Sequence, residues 1–500
     1  MAYYLLAFLT SACIMTLEIV AGRLIAPQIG VNLYTWTSII GVVLTGISVG
    51  SFVGGWMADR WNPRRLLSGV LIIAGLLTVA IIPGVPWVNR PLFLNLPPLL
   101  GILSMVAVLF FIPSFFLALV SPLLYKLALR DPNRVGGTVG RLAASGALGS
   151  IAGTFATGFW LVPAVGTRNI VIGVAAAVVV LGLLCTAWRP WLRTTAIAVI
   201  LSLLAVGLWQ RPAFLQSPCD VESAYYCLKV NESASAGVGL VKKLVLDNLV
   251  HSGVIIDYPD ALWYDYEQTM AWILEQLNAG ADNARAGSPG FSALFLGGGG
   301  YILPHWVERH FPGSRVDVAE IDPEVTRIAL KEFIPADNTI TTFNDDARRV
   351  LSRQLSDSRY DVVIGDAFND VAVPYHLTTR EFDLLIRDRL KPGGIYMMNV
   401  VDRPDGLFQG ALVRTLGTVF PHLYVLMEKQ ETGDAFRTHT TLVLVASLTP
   451  LPLDEWAARS TPPYLITEPD LGAAEQYALL TDDYAPTDTL LLPVFIERWD

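Results

Sequence analysis

Seven apolar runs fill the first two-fifths of the chain, at about residues 3–21, 34–57, 66–84, 99–125, 142–163, 168–188 and 193–209. Crossing a hydrocarbon core takes roughly 20 apolar residues, so the pattern predicts a polytopic α-helical membrane bundle of about seven spans. The first run is too long, and too quickly followed by the next, to be a cleaved signal peptide. Small residues recur within the runs, at Gly41, Gly46, Gly50, Gly54 and Gly55 and again at Gly146, Gly149 and Gly153. Small side chains let helix backbones come close in lipid, and these glycines read as packing faces.

From about residue 236 the periodicity changes. Short β-rich runs at 292–296, 315–320, 339–343, 360–365 and 394–400 alternate with helical stretches at 302–310, 323–332, 347–355 and 379–390. Pro392, Gly393 and Gly394 read as a turn ahead of the last of these strands. Such alternation predicts βαβ units and a parallel, doubly wound α/β sheet of Rossmann-like type. Residues 236–258 read as a small antiparallel β lead-in, and 265–278 as a helix joining it to the sheet. The expected division is a transmembrane domain over 1–210, a lead-in and connecting helix over 211–285, and a nucleoside-binding domain over 286–500.

Charge follows the same division. The whole chain is only 16% charged, against about 25% in ordinary soluble domains. Residues 1–209 carry a net charge of +9 and residues 210–500 carry −18. The second part therefore repels nucleic acid phosphates and favours small cationic ligands. Basic residues of the first part cluster in alternate connections. Nine lie on one side, after the second, fourth and sixth spans, and four (Arg23, Arg90, Arg168 and Arg211) lie on the other. The excess marks the cytoplasmic side, so seven spans would release the soluble domain on the outer face.

Cys13 and Cys185 sit in apolar runs, whereas Cys219 and Cys227 open the soluble part without metal-ligand spacing. The latter two are either a disulfide or two unrelated thiols. Glu18 lies near the end of the first span, where a carboxylate is costly unless paired or solvated. A structural pair with Arg23 or an interfacial position would account for it, with a functional intramembrane carboxylate as the alternative.

The chemistry concentrates at strand ends. A buried strand runs into Gly297, Gly298, Gly299 and Gly300 and then into a helix. Such a loop lets backbone approach a ligand and presents free N–H groups at a helix start. Glu320 ends the next strand, where an acid can accept hydrogen bonds from ribose hydroxyls. Asp346 follows the third strand and can bind an adenine amino group. Asp366 follows the fourth, where a carboxylate can hold an amine and take its proton.

With these residues in view, the chain resembles the membrane-fused members of the spermidine synthase (polyamine aminopropyltransferase) family. The resemblance runs through Leu246, Asp247 and His251, Trp263 to Tyr266, Gly297 to Gly300, Glu320 to Asp322, Asp346 to Arg349, Asp366 to Phe368, Val373 to Phe382 and Leu480 to Pro486. In the first half it includes Glu18 to Arg23, Ala26 and Pro27, Tyr34 to Thr37 and Gly54 to Arg60. It implies aminopropyl transfer from decarboxylated S-adenosylmethionine to putrescine, without a metal. Gly297, Gly298, Gly299, Glu320, Asp346 and His251 would bind the donor, and Asp366 would be the base. Asp265, Tyr266 and Asp370 are the candidates on the amine side.

Three positions depart from the family's pattern. Gly300 stands where the loop normally carries an aspartate, Asn369 stands where a second aspartate falls, and His251 replaces a glutamine. The nucleoside side is thus better kept than the amine side. Two alternatives stay open: a methyltransferase or other enzyme consuming S-adenosylmethionine, and a transporter or sensor that binds a nucleoside or polyamine without chemistry. The expected partners are the lipid bilayer and a small cationic amine, with no nucleic acid and with a homo-oligomer left open.

Overall fold

A computed structural model describes residues 2–30, 32–129, 134–186, 217–235, 238–281, 290–367, 373–403, 406–428, 440–460 and 464–497. The chain divides into two compact units, Met1–Cys227 and Leu228–Asp500.

In the first unit, six helices among the described residues are long and apolar enough to cross a membrane. They are α1 (Ala2–Ile29), α2 (Leu33–Arg60), α3 (Pro63–Asn95), α4 (Pro98–Ala128), α5 (Val135–Val165) and α6 (Thr167–Leu184). The expected seventh span, 193–209, lies outside the described residues. Short links make consecutive helices run in opposite directions. Phe52, Phe159 and Trp160 are 79%, 69% and 70% exposed, an outward apolar surface that suits lipid rather than water.

The glycines explain how the helices meet. Along α1 and α5 the contacts repeat every fourth residue. Ser145 donates to the Tyr4 carbonyl (2.7 Å), Gly149 lies on the Phe8 backbone, Gly153 on the Ala12 backbone, and the hydroxyls of Thr157 and Thr16 bond at 2.9 Å. A Cβ on Gly149 would sit 2.0 Å from the Phe8 carbonyl oxygen, so only glycine allows this crossing. Gly46, Gly50 and Gly54 of α2 meet Phe111, Phe115 and Leu119 of α4 in the same way. Pro113 and Pro163 each follow a widened π turn, Ala107–Phe111 and Thr157–Leu161. Proline removes one N–H from the helical ladder, and the wider turn accommodates that loss.

The unit extends past the expected border at 210 because its last segment is bonded to the helix ends. Arg23 donates to the carbonyls of Ser223 and Tyr225. The Glu222 carboxylate accepts from the Thr167 N–H (2.7 Å) and from Ser217 (2.6 Å). Cys219 and Cys227 form a disulfide. The expected Glu18–Arg23 pair is not formed, because Arg23 is occupied by that segment. Glu18 Oε2 has no hydrogen-bond partner among the described residues.

The second unit begins within the strand Cys227–Ser235, which forms an antiparallel meander with Gly239–Leu246 and Leu249–Ile255, and the helix Asp265–Ala281 follows. The main sheet follows. Its strands are β1 (Ser292–Leu296), β2 (Arg315–Ala319), β3 (Thr341–Phe343), β4 (Tyr360–Gly365), β5 (Leu390–Asp402), β6 (His422–Glu428), β7 (Thr440–Ser447) and β8 (Tyr464–Thr467). The order is β8-β6-β7-β5-β4-β1-β2-β3. Strands β1 to β5 pair in parallel, whereas β7, β6 and β8 add an antiparallel edge. All five residues of β1 are buried, as expected of a strand covered on both faces. The sheet is therefore mostly parallel rather than wholly so. The turn expected at Pro392 to Gly394 falls inside β5, where the register jumps from Tyr360 opposite Leu390 to Val362 opposite Ile395.

The order of the strands decides where a ligand can bind. Successive connections from β1 run outward in opposite directions, to β2 on one side and β4 on the other. The carboxyl ends of β1 and β4 therefore flank a crevice, the usual ligand position in such sheets.

Candidate active site

Gly297 ends β1 with φ +100°, and a Cβ there would meet the Asp366 carbonyl oxygen at 2.3 Å. Only glycine fits between the two strand ends. The next N–H, of Gly298, donates to Glu320 Oε2 (2.9 Å), and the Asp322 N–H donates to Oε1 (2.9 Å). Glu320 thus ties the glycine loop to the end of β2. It is 6% exposed, and burial pushes its carboxyl upward while these N–H bonds pull it back. Each carboxylate oxygen has lone pairs to spare, so ribose hydroxyls can still donate to it. Tyr301 closes the loop with φ 59° and a buried ring whose hydroxyl bonds Thr326 (3.0 Å) and Thr342 (3.2 Å).

The fourth glycine has a different reason. Gly300 N–H donates to Ser252 Oγ (2.7 Å), and a Cβ on Gly300 would meet the Ser252 Cβ at 2.7 Å. The lead-in strand Leu249–Ile255 fills the space that a side chain at 300 would need. His251 is half-buried, one residue before Ser252 on that strand.

At the end of β4, Asp366 accepts two hydrogen bonds from neutral donors. Tyr266 OH reaches Oδ2 (2.9 Å) and Asn399 Nδ2 reaches Oδ1 (2.8 Å). Burial raises the Asp366 pKa, and these two bonds oppose the rise. The structure brings Tyr266 to Asp366, while Asp265 is exposed in the first turn of the same helix. Glu267, next along, is 3% exposed and accepts from the Tyr264 N–H (3.2 Å). Its pKa is raised to about 8, chiefly by burial and also by the Asp366 charge, against the pull of backbone N–H bonds. Beside Asp366, the apolar residues Leu296, Val373, Leu377 and Phe382 help line a small cleft.

Asp346 caps the helix after β3, accepting from Arg349 N–H (3.1 Å), and its Oδ2 lies 2.7 Å from His376 Nε2. That bond to His376 holds its carboxyl below the usual range. Arg348 beside it makes a two-toothed pair with Asp482 (2.7 and 2.6 Å), which also accepts from Thr379 (2.7 Å). The C-terminal motif thereby braces the Asp346 side of the crevice. Asp370 and Asn369 lie outside the described residues.

Sequence reasoning missed Ser252, Glu267, His376 and Asn399. Two of them carried readable signals. Glu267 sits three residues after Tyr264 at a helix start, the position from which a glutamate caps. Asn399 interrupts an otherwise apolar strand, and a buried amide there needs partners. Ser252 gave no local signal, and His376 was legible only as a member of the Val373 to Phe382 motif, without a role.

No family model matches the chain. It is 31% identical over 215 residues to the polyamine aminopropyltransferase of Vibrio vulnificus, covering 39% of this chain and 69% of that protein. It is 34% identical over 143 residues to a probable polyamine aminopropyl transferase of Bifidobacterium longum, covering 28% of this chain and 30% of that protein. It is 30% identical over 298 residues to polyamine aminopropyltransferase 2 of Streptomyces coelicolor, covering 55% of this chain and 50% of that protein. The chain thus spans half or less of the Bifidobacterium and Streptomyces relatives.

Proposed function

This chain belongs to the polyamine aminopropyltransferase family, and on that premise we propose that its soluble unit moves an aminopropyl group from decarboxylated S-adenosylmethionine to an amine such as putrescine. The observation that carries the reading is Asp366, fixed by Tyr266 and Asn399 at the end of β4, across the crevice from the Glu320-clamped glycine loop. The loop and Glu320 would hold the ribose, and Asp346 the adenine amino group. The amine nitrogen attacks the carbon bonded to the sulfonium. An N–C bond forms, the C–S bond breaks, its electron pair stays on sulfur, and methylthioadenosine leaves. Asp366 takes the proton that the amine loses. A base whose pKa burial raises is better matched to that task near neutral pH, and holding both reactants in one crevice supplies much of the rest.

The test uses the full chain in detergent with the decarboxylated donor and putrescine. Release of spermidine and methylthioadenosine in equal amounts is expected. Silence with these substrates, together with turnover of S-adenosylmethionine itself, would overturn the reading in favour of methyl transfer.

We further propose that the first unit is embedded in the bilayer and that the soluble unit leaves it on the outer face. Lys126 and Asp59 pair at 2.7 Å, which supports a common end for α2 and α4. That end also gathers Arg60, Arg64, Arg65, Arg134 and Arg141, the cytoplasmic signature. Alternation takes α6 back to it at Leu184. The segment 217–227 is instead bonded to Arg23 and Thr167, at the opposite end, and carries a disulfide, which persists in oxidising compartments. The test introduces cysteines singly at Asp257 and at Arg64 and exposes intact cells to an impermeant maleimide. Labelling at 257 and not at 64 is expected, and the reverse pattern would overturn the orientation.

A further inference from the structure

The glycine loop has no room for an amine-binding carboxylate, because Ser252 fills the place where a side chain on Gly300 would begin. A site for a cationic amine needs its acceptors from elsewhere. We propose that the amine nitrogen is held by Asp366 and the side-chain carbonyl of Asn399, with Glu267 of the helix Asp265–Ala281 as the second acid of the site. This rests on the aminopropyl-transfer reading and names the residues that would select its acceptor.

Asn399 carries the first part of the argument. It is 7% exposed, and its amide nitrogen is spent on Asp366 Oδ1. Its Oδ1 is buried with no hydrogen-bond partner among the described residues. Buried acceptors are nearly always satisfied, so this one awaits a donor. An ammonium or amine nitrogen offers two or three N–H groups, enough to serve Asn399 and Asp366 together. The Asn399 carbonyl beside Asp366 adds a second acceptor that an amine N–H can meet.

Glu267 carries the second part. It lies one residue from Tyr266, which bonds Asp366, and its energy depends on the Asp366 charge. Two acids this close cannot both ionise cheaply in a buried place. Burial and the Asp366 charge raise the Glu267 pKa to about 8, which favours the protonated acid near neutral pH. A bound ammonium reverses the balance and favours both anions. Its contact with the Tyr264 N–H is an N-terminal cap, which glutamine makes as well as glutamate. Glu267→Gln therefore keeps the cap and removes only the charge.

The test is calorimetry on the full chain in detergent, titrating methylthioadenosine alone and then putrescine onto the methylthioadenosine complex. Glu267→Gln and Asn399→Leu should each weaken putrescine by about tenfold or more, the worth of one charge-assisted contact, and leave methylthioadenosine unchanged. Putrescine binding at the parent affinity in Glu267→Gln overturns the role of Glu267, and the same result in Asn399→Leu overturns that of Asn399. If Asn399→Leu does not fold, Asn399→Ala takes its place. A parent chain that binds methylthioadenosine but no putrescine overturns this inference and leaves the nucleoside site standing. A parent chain that binds neither overturns the transfer reading itself.

Discussion

Tyr266 donates its phenolic proton to Asp366 Oδ2 across 2.9 Å. The two residues are a hundred positions apart, on the connecting helix and at the end of β4. Their bond favours the ionised carboxylate in a place where burial favours the neutral acid. The base is thus held between two opposing influences, with Asn399 on the same side as Tyr266.

Removing the base should cost about 10²- to 10⁴-fold in turnover, the usual worth of a positioned proton acceptor. Asp366→Asn should show this loss with methylthioadenosine binding retained. Tyr266→Phe removes one donor to the anion, so the acidic limb of the pH–rate profile should move to higher pH. Steady-state release of methylthioadenosine between pH 5 and 10 reads both outcomes, and an unmoved limb would count against the Tyr266 role.

Glu267 predicts a pH dependence of stability. Its folded pKa is raised from 4.5 to about 8. The folded state therefore holds the extra proton, and the stability it confers is full below pH 4.5 and lost as pH rises through about 8. A shift of that size is worth at most about 5 kcal/mol. Glu267→Gln has no such proton, so its melting temperature should fall less than the parent's between pH 5 and 8.5. Parallel melting curves for the two would refute it.

Ser252 and Gly300 should behave as a coupled pair. Gly300→Ala forces a Cβ against the Ser252 Cβ, and overpacking of this kind costs about 1–3 kcal/mol. Ser252→Gly in the same chain should recover much of that loss, giving a coupling energy of about 0.5–3 kcal/mol in a double-mutant cycle. Thermal unfolding of the four chains measures it, and strict additivity would rule out the contact as the cause.

Glu320→Ala removes the acceptor shared by the Gly298 and Asp322 N–H groups. Leaving two buried donors unmet costs about 1–3 kcal/mol each, so melting temperature and methylthioadenosine affinity should fall together. Glu320→Gln keeps one acceptor and should lie between. Calorimetry alongside a melt separates the two effects, and full affinity in Glu320→Ala would exclude a ribose contact.

The elements that signal locally were legible. Long apolar runs marked the six helices, and a strand running into glycines marked the crevice. Glu320 and Asp366 were found because strand ends are predictable places. What escaped depends on distant partners. Arg23 meets carbonyls two hundred residues away, which no spacing near Glu18 could reveal. Ser252 explains Gly300 only once the lead-in strand is folded against the loop. The antiparallel strands β6, β7 and β8 and the helix Leu407–Gly417 were left unassigned, since their apolar runs stand outside the βαβ rhythm. The bonds that hold the segment 217–227 to the helix ends are likewise not recorded in composition.

The bridge between Cys219 and Cys227 has a further consequence for how the molecule is made. The ribosome completes residue 227 before it has read any strand of the main sheet. With the outer-face orientation proposed above, its thiols can meet oxidant while the strands of the main sheet are still being synthesised. Arg23 and Thr167 are already in place to receive the closed ring. The ring is thus closed first, and on that orientation a cell with impaired thiol oxidation should accumulate chains in which Cys219 and Cys227 are unbridged although the rest of the sequence is intact.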